Sequence, residues 1–222
     1  MTARITLDRT AVVKAALHLL NREGFEGLTL RRLATELRVQ APALYWHFTN
    51  KQELLDEMAT LVFREGFQNL GMPQPDVPWQ DWCRQLAAAE RQMLLHYRDG
   101  AKMFSGTYLT DPAMYAPMEA SLVKLTADGF RLTDALQALS TIHCFVVGFT
   151  IEEQAAWPTP GKRDSRYAPE ERAARIDKDK FPLAIAAGET LFGTPDLRFE
   201  LGLEIIMRGL DALYEARKRN PG

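Results

Sequence analysis

The stretch from Gln40 to Lys51, Gln-Ala-Pro-Ala-Leu-Tyr-Trp-His-Phe-Thr-Asn-Lys, constrains this chain more than any other. It follows an amphipathic helix and a tight turn. It places Tyr45, Trp46, His47 and Lys51 within about three helical turns. A helix built for burial does not carry that mixture, whereas a helix lying against a nucleic-acid backbone does. The pattern predicts a helix-turn-helix whose second helix enters a DNA major groove.

The charge distribution agrees. Residues 1–51 hold eight Lys/Arg against four Asp/Glu, a net +4, while 52–222 carry 19 basic and 25 acidic residues, a net −6. A basic head on an acidic body suits a small DNA-binding module joined to something that does not bind DNA. A length of 222 residues allows one large domain or two small ones. No run of 18 apolar residues occurs, and Arg4, Asp8, Arg9 and Lys14 interrupt any apolar leader. The expectation is a cytoplasmic protein without a membrane partner. Cys83 and Cys144 lack metal-ligand spacing and read as two small buried hydrophobes, so neither a metal nor a cofactor is expected.

Helix signals recur along the chain. Asp8 caps the first helix, with Leu7 placed to staple onto Val12; Val12, Ala16, Leu19 and Leu20 form its buried stripe, and Gly24 ends it. Thr29 caps a second helix, Arg38-Val39 makes the turn, and Pro42 sits in the first turn of a short third helix whose Leu44 and Phe48 point inward. Asn50-Lys-Gln-Glu53 reads as a capping box that opens a continuous fourth helix. Further helices are expected from Trp79 to Tyr97, from Asp111-Pro112 to about Asp128, from Thr133 to Ala156, at 182–192 and from Thr194-Pro195-Asp196 onward. Residues 157–180 read as a mobile loop with at most one helical turn. No alternating strand pattern appears. The expected fold is all-α, with a helix-turn-helix domain over 1–51 and a helical ligand-binding and dimerisation domain over 52–222.

The motifs Ala15-Ala16-Leu-His-Leu-Leu-Asn-Arg-Glu-Gly24, Leu28-Thr29-Leu-Arg31-Arg32-Leu33-Ala34, Leu44-Tyr45-Trp46-His47-Phe48 and Asn50-Lys51 resemble the tetracycline-repressor (TetR) family of bacterial transcriptional regulators. Tyr97–Lys102, Gly106-Thr107, Gly129-Phe130 and Gly148–Glu152 extend the resemblance over nearly the whole chain. The resemblance implies a homodimer. Its two heads read half-sites of a double-stranded operator about 34 Å apart, and its body binds a small-molecule effector and shifts the fourth helix. It also implies DNA contact at the positions of Arg31, Ala41, Pro42, Ala43, Tyr45, His47 and Lys51. Arg31 suits a guanine edge, and Tyr45, His47 and Lys51 suit phosphates. Ala41 and Ala43 depart from polar base-reading groups and offer methyl contacts to thymine. Trp46 joins the candidate set, with packing between helices as its favoured role.

The body departs further. The family's namesake holds its drug and magnesium with polar and imidazole groups. The matching positions here are Phe67, Leu86, Glu90, Phe104, Tyr108, Ser121 and Cys144, and of the metal-side groups only Thr107 and Glu152 survive. A phenyl ring cannot ligate magnesium, so the effector is expected to be largely apolar and not a magnesium–tetracycline chelate. The expected pocket adds Met114, Met118, Leu122, His143 and Val147, with Glu90 and Glu152 able to meet a cationic or hydroxylated compound. Catalysis finds no motif, since GxSxG, HExxH, P-loop and GxGxxG are all missing. The alternative is a ligand-binding or enzymatic helical bundle with a vestigial head.

Overall fold

The computed structural model describes residues 8–159 and 161–219, and within them eleven α-helices and no strand. They are α1 (Arg9–Gly27), α2 (Leu30–Glu36), α3 (Ala41–Tyr45), α4 (Lys51–Leu70), α5 (Trp79–Leu95), α6 (Gly100–Phe104), α7 (Tyr115–Ala127), α8 (Leu132–Ala156), α9 (Pro169–Ala173), α10 (Pro182–Leu191) and α11 (Pro195–Arg219). The chain divides into two compact units, one of residues up to Gly71 with Gln92–Met118, the other of Met72–Arg91 with the residues from Glu119 onward. The segment 92–118 thus belongs with the reading head, a grouping that a boundary at 51/52 does not convey.

The caps explain where the first helices begin. The Asp8 carboxylate accepts from the Ala11 N–H at 2.6 Å, the Thr29 hydroxyl from Arg32 N–H at 3.2 Å, and Asn50 Oδ1 from Glu53 N–H at 2.9 Å. The Leu7 staple lies outside the described residues. The capping box at Asn50 differs from its expected form: the Glu53 side chain accepts from the N–H and hydroxyl of Thr49, both at 2.8 Å. Gly24 interrupts α1 at φ 75° and ψ 178°, and one more turn runs to Gly27 before Leu28 N–H closes on Phe25 O. Helix α3 is short, as expected, with five residues. The His47 and Phe48 N–H groups both fold back to Leu44 O at 2.9 Å, which tightens and ends it. The sequence reading did not anticipate α6. Residues 157–180 hold a 3-10 turn at Ser165–Tyr167 and the helix α9.

In the first unit Val12, Leu20, Leu33, Leu44, Phe48 and Met58 are fully buried, each worth about 1.5–3 kcal/mol relative to exposure. In the second, Trp79, Phe130 and Tyr214 form an aromatic cluster with centroids 4.8–5.7 Å apart, and α8 packs on α11. Arg91 is buried there. It forms a fork with both oxygens of Glu153 at 2.7 and 2.8 Å and reaches Asp196 at 2.7 Å, over the ring of Phe199. Helix α8 is, by length and composition, apolar enough to cross a membrane, contrary to the expectation from apolar runs. Its buried positions are those of a bundle helix: Ala135, Ala138, Ile142, Val146, Thr150 and Glu153 follow a three-to-four spacing on one face. Cys83 is buried, which pushes its thiol up to about 12, but Cys144 is exposed rather than buried as expected.

Gly24 and Gly71 provide a matched pair, since both have φ 75° with ψ near 180°, a region closed to side chains. A Cβ on Gly24 would meet Asp99 Oδ2 at 2.8 Å, whereas one on Gly71 meets nothing within 4 Å. Both alanine variants are expected to lose about 1–3 kcal/mol from backbone strain. Gly24→Ala is expected to melt several degrees lower than Gly71→Ala, because it also displaces the Asp99 carboxylate. Equal melting temperatures would show that this contact contributes nothing.

Candidate DNA-reading head and effector-site residues

Helix α2 buries Leu33 and Ala34 and leaves Arg31 exposed, with no ion pair among the described residues. Arg38 makes the turn in the left-handed region at φ 55°, and Val39 N–H closes it on Ala34 O at 3.0 Å. Helix α3 then places Leu44 and Phe48 inside. Tyr45 is 54% exposed and Trp46 89%, so Trp46 does not pack between helices; it stands on the reading surface. Ala41, Ala43 and His47 are half-buried and Pro42 exposed. Lys51 is partly committed inside the protein. Its ammonium sits 3.3 Å from Phe25 O and 4.3 Å from the centre of the Phe25 ring.

Several other cations of the head are neutralised locally. Arg22 forks onto Glu36 at 2.8 and 3.0 Å and pairs with Glu23, and Arg32 also meets Glu23. The Glu36 carboxyl is held below the usual carboxylate range by the Arg22 hydrogen bonds.

Two sets of contacts inside the first unit join the head to the segment 92–118. At the end of α1, Arg98 N–H donates to Asn21 Oδ1 at 2.8 Å, Arg98 Nη1 to Arg22 O at 3.0 Å, and the Asp99 carboxylate accepts from Phe25 N–H at 2.8 Å. Lys102 pairs with Glu26 at 2.6 Å. Along α4 a polar row repeats every four residues. Gln52 Nε2 donates to Gly106 O at 3.5 Å, Asp56 Oδ1 accepts from Tyr108 N–H at 3.0 Å, Thr60 Oγ1 accepts from Thr110 N–H at 2.9 Å, and Arg64 pairs with Asp111. Sequence reasoning missed both sets, although the four-residue spacing of Gln52, Asp56, Thr60 and Arg64 was legible.

The expected effector residues fall in both units. In the first, Phe63 stacks on Phe67 at 4.1 Å between centroids and faces Phe104 at 6.3 Å. Phe104 is buried, and the Thr107 hydroxyl donates to Phe104 O at 2.6 Å. Tyr108 and Met118 are exposed, and the Met114 side chain lies outside what is described. In the second, Glu90 is buried and lies 2.6 Å from Nδ1 of His143, whose side chain is 50% exposed. The hydrogen bond to Glu90 raises the imidazole pKa above its ordinary 6.5, against burial, which lowers it. Leu86, Leu122 and Val147 are half-buried and Ser121 is buried. Glu152 is exposed; its neighbour Glu153 is the buried one, and it is held by Arg91. Among the described residues no three His, Cys, Asp or Glu side chains converge as a metal site would need.

Two family descriptions match the chain: "Bacterial regulatory proteins, tetR family" over residues 12–58, and "Tetracyclin repressor-like, C-terminal domain" over residues 72–214. The class A tetracycline repressor from transposon 1721 of Escherichia coli is 41% identical over 206 residues, covering 92% of this chain and 90% of the relative. Among solved structures, a possible TetR-family transcriptional regulator from Streptomyces coelicolor A3(2) superposes with a TM-score of 0.80 at 37% identity, covering 93% of this chain and all of the other. ActR of Streptomyces coelicolor in complex with actinorhodin does so with a TM-score of 0.77 at 27% identity, over 95% of this chain and 98% of the other. The exposed reading helix, the all-helical fold and matches over both parts of the chain place this protein in the TetR family, as a DNA-binding transcriptional repressor with a ligand-binding C-terminal domain.

Proposed function

We propose that this chain works in the cytoplasm as a homodimeric, non-enzymatic repressor that leaves a two-fold operator when a small, largely apolar aromatic compound occupies its C-terminal domain. The observation that carries this reading is the polar row on α4. It links the helix that follows the reading head to residues 106–111, directly after Phe104. An effector pressing on Phe104 or Thr107 shifts that segment, and α4 shifts with it. Two heads set about 34 Å apart lose their joint grip when the spacing changes by a few ångströms.

The dimer is supported by Leu197, Leu201 and Ile205 of α11, which form an apolar stripe at four-residue spacing, with Ile205 74% exposed. A four-helix seam between α8 and α11 of two copies covers it. The double variant Leu201→Glu, Ile205→Glu is expected to sediment at the one-subunit mass and to lose most operator affinity. A wild-type protein that is monomeric at micromolar concentration would reject the dimer.

The effector residues do not fit a hexacoordinate magnesium–drug chelate. Phe104 presents a phenyl ring, which has no atom able to ligate the ion, where the chelate would need an oxygen or nitrogen ligand. Class A tetracycline repressor and ActR–actinorhodin point to polycyclic aromatic compounds as the chemical class. In a thermal-shift screen of such compounds, including anhydrotetracycline, the stabilised complexes are expected to keep their melting temperature in excess EDTA. Stabilisation that requires magnesium would overturn this assignment. Phe104→Ala is expected to raise the concentration of effector needed for operator release at least tenfold, with operator affinity within about twofold of wild type. Equal loss of both would mark Phe104 as core alone.

Glu90 and His143 form a separate polar pair within the second unit. Because His143 is raised above 6.5 in the folded protein, its pairing stabilises fully below pH 6.5, and the benefit fades as pH rises through the raised value. The melting temperature of the wild type is therefore expected to fall relative to His143→Gln between about pH 6 and pH 8. A constant difference across that range would show that the pair does not titrate as described.

A further inference from the structure

We infer that Arg9 is a positioning residue for DNA reading: its guanidinium rivets the end of the reading helix to α4 and leaves no charge for DNA. The inference rests on the family's DNA binding and concerns how this head is held. In sequence, an arginine near the start of a basic head looks like a phosphate contact. In the structure its donors are spent inside the protein. Nη1 donates to the backbone oxygen of His47, just past α3. Nη2 donates to Glu53 Oε1 at 2.8 Å and Glu57 Oε1 at 3.1 Å, and Nε donates to Glu57 Oε1 at 3.2 Å. The guanidinium plane also lies 4.5 Å from the centre of the Phe48 ring.

Three features make this arrangement a rivet rather than a surface ion pair. First, α3 has five residues, too few to hold a direction by its own hydrogen bonds, so its aim depends on Leu44, Phe48 and whatever holds its C-terminal end. Second, both carboxylates stand on α4 at positions 53 and 57, one helical turn apart, so the fork takes its position from α4 and passes it to His47. Third, Glu53 also accepts from the N–H and hydroxyl of Thr49, which fixes the link between the two helices; the Thr49 N–H and Arg9 together hold its carboxyl down at about 2. A single cation facing two anions leaves the cluster at net −1, which repels phosphate. Only the planar fork of arginine reaches the carbonyl and both carboxylates at once; a lysine ammonium cannot.

The test uses the full-length protein and a duplex selected by the wild type from a random DNA library, with operator affinity measured from about 50 to 300 mM salt. Arg9→Gln and Arg9→Lys are both expected to weaken binding at least tenfold, with the slope of log affinity against log salt unchanged. Arg31→Gln, which removes a cation that meets DNA, is expected to lower that slope by about 2 per dimer, near 0.9 for each lost contact. Glu57→Gln separates the readings by sign. It makes the head more positive, so a simple electrostatic attraction would strengthen binding, whereas loss of the rivet weakens it several-fold. Arg9→Lys with wild-type affinity, a reduced salt slope in Arg9→Gln, or tighter binding by Glu57→Gln would each overturn the inference. Circular dichroism and melting curves accompany each variant. Should Arg9→Gln fail to fold, Arg9→Lys and Glu57→Gln decide alone.

Discussion

The row of hydrogen bonds between α4 and residues 106–111 sets what this protein can do. Four residues spaced by four, Gln52, Asp56, Thr60 and Arg64, lie on one helical face, and each meets a group of a chain segment that is not itself helical. An apolar contact would hold that segment by close packing and yield only by opening a void. A polar row exchanges bonds with water at a net cost of about 0.5–1.5 kcal/mol each. Replacing several of these bonds therefore costs a few kcal/mol, the scale of coupling free energies between two sites in a protein. In the proposed release, the strap is strong enough to define one position of α4 and weak enough for a ligand to change it.

The second unit uses polar chemistry for the opposite purpose. Arg91 and Glu153 are both buried and meet as a two-bond fork, with Asp196 as a third partner. Removing one member of such a pair typically costs about 3–5 kcal/mol, because an unpaired charge stays behind in a low-dielectric interior. This network pins α5, α8 and the start of α11 at a fixed register, in the unit that carries the exposed apolar stripe of α11. Exposure thus separates two roles for similar groups: Gln52 and Arg64 at the ends of the row on α4 face solvent and can exchange, whereas Thr60 within it and the Arg91–Glu153 fork are buried.

Much of this was legible in the sequence, for identifiable reasons. Caps at Asp8, Thr29 and Asn50, Pro42 in a first turn and the apolar spacing of Val12, Ala16, Leu19 and Leu20 are local signals, and local signals survive folding. Other features depend on partners distant in sequence, or on which of two neighbouring residues a helix turns inward. Glu152 and Glu153 differ by 100° around a helix, and the periodicity of α8 alone, read from Ile142 and Val146, would have turned Glu153 inward. Trp46 was expected to pack between helices, but Leu44 and Phe48 already occupy the inward face of so short a helix. Gly24 reads as a helix end, and its φ of 75° does break the helical conformation there. Its contact with Asp99, 75 residues away in sequence, leaves no sign in the composition.

The net charge of the head overstates its attraction for DNA. Arg9, Arg22 and Arg32 are matched by Glu53, Glu57, Glu23 and Glu36, and Lys51 lies against Phe25. Among the described residues this leaves Lys14, Arg31 and Arg38 as the head's basic side chains without an ion pair or a cation–π contact. A surface with few uncommitted cations gains less from counterion release and depends more on the fit of its reading helix. Ala41 and Ala43 point the same way, since methyl groups discriminate only at close contact with a thymine methyl. A head that reads by fit needs its short helix held at a fixed angle, which is the part proposed above for Arg9.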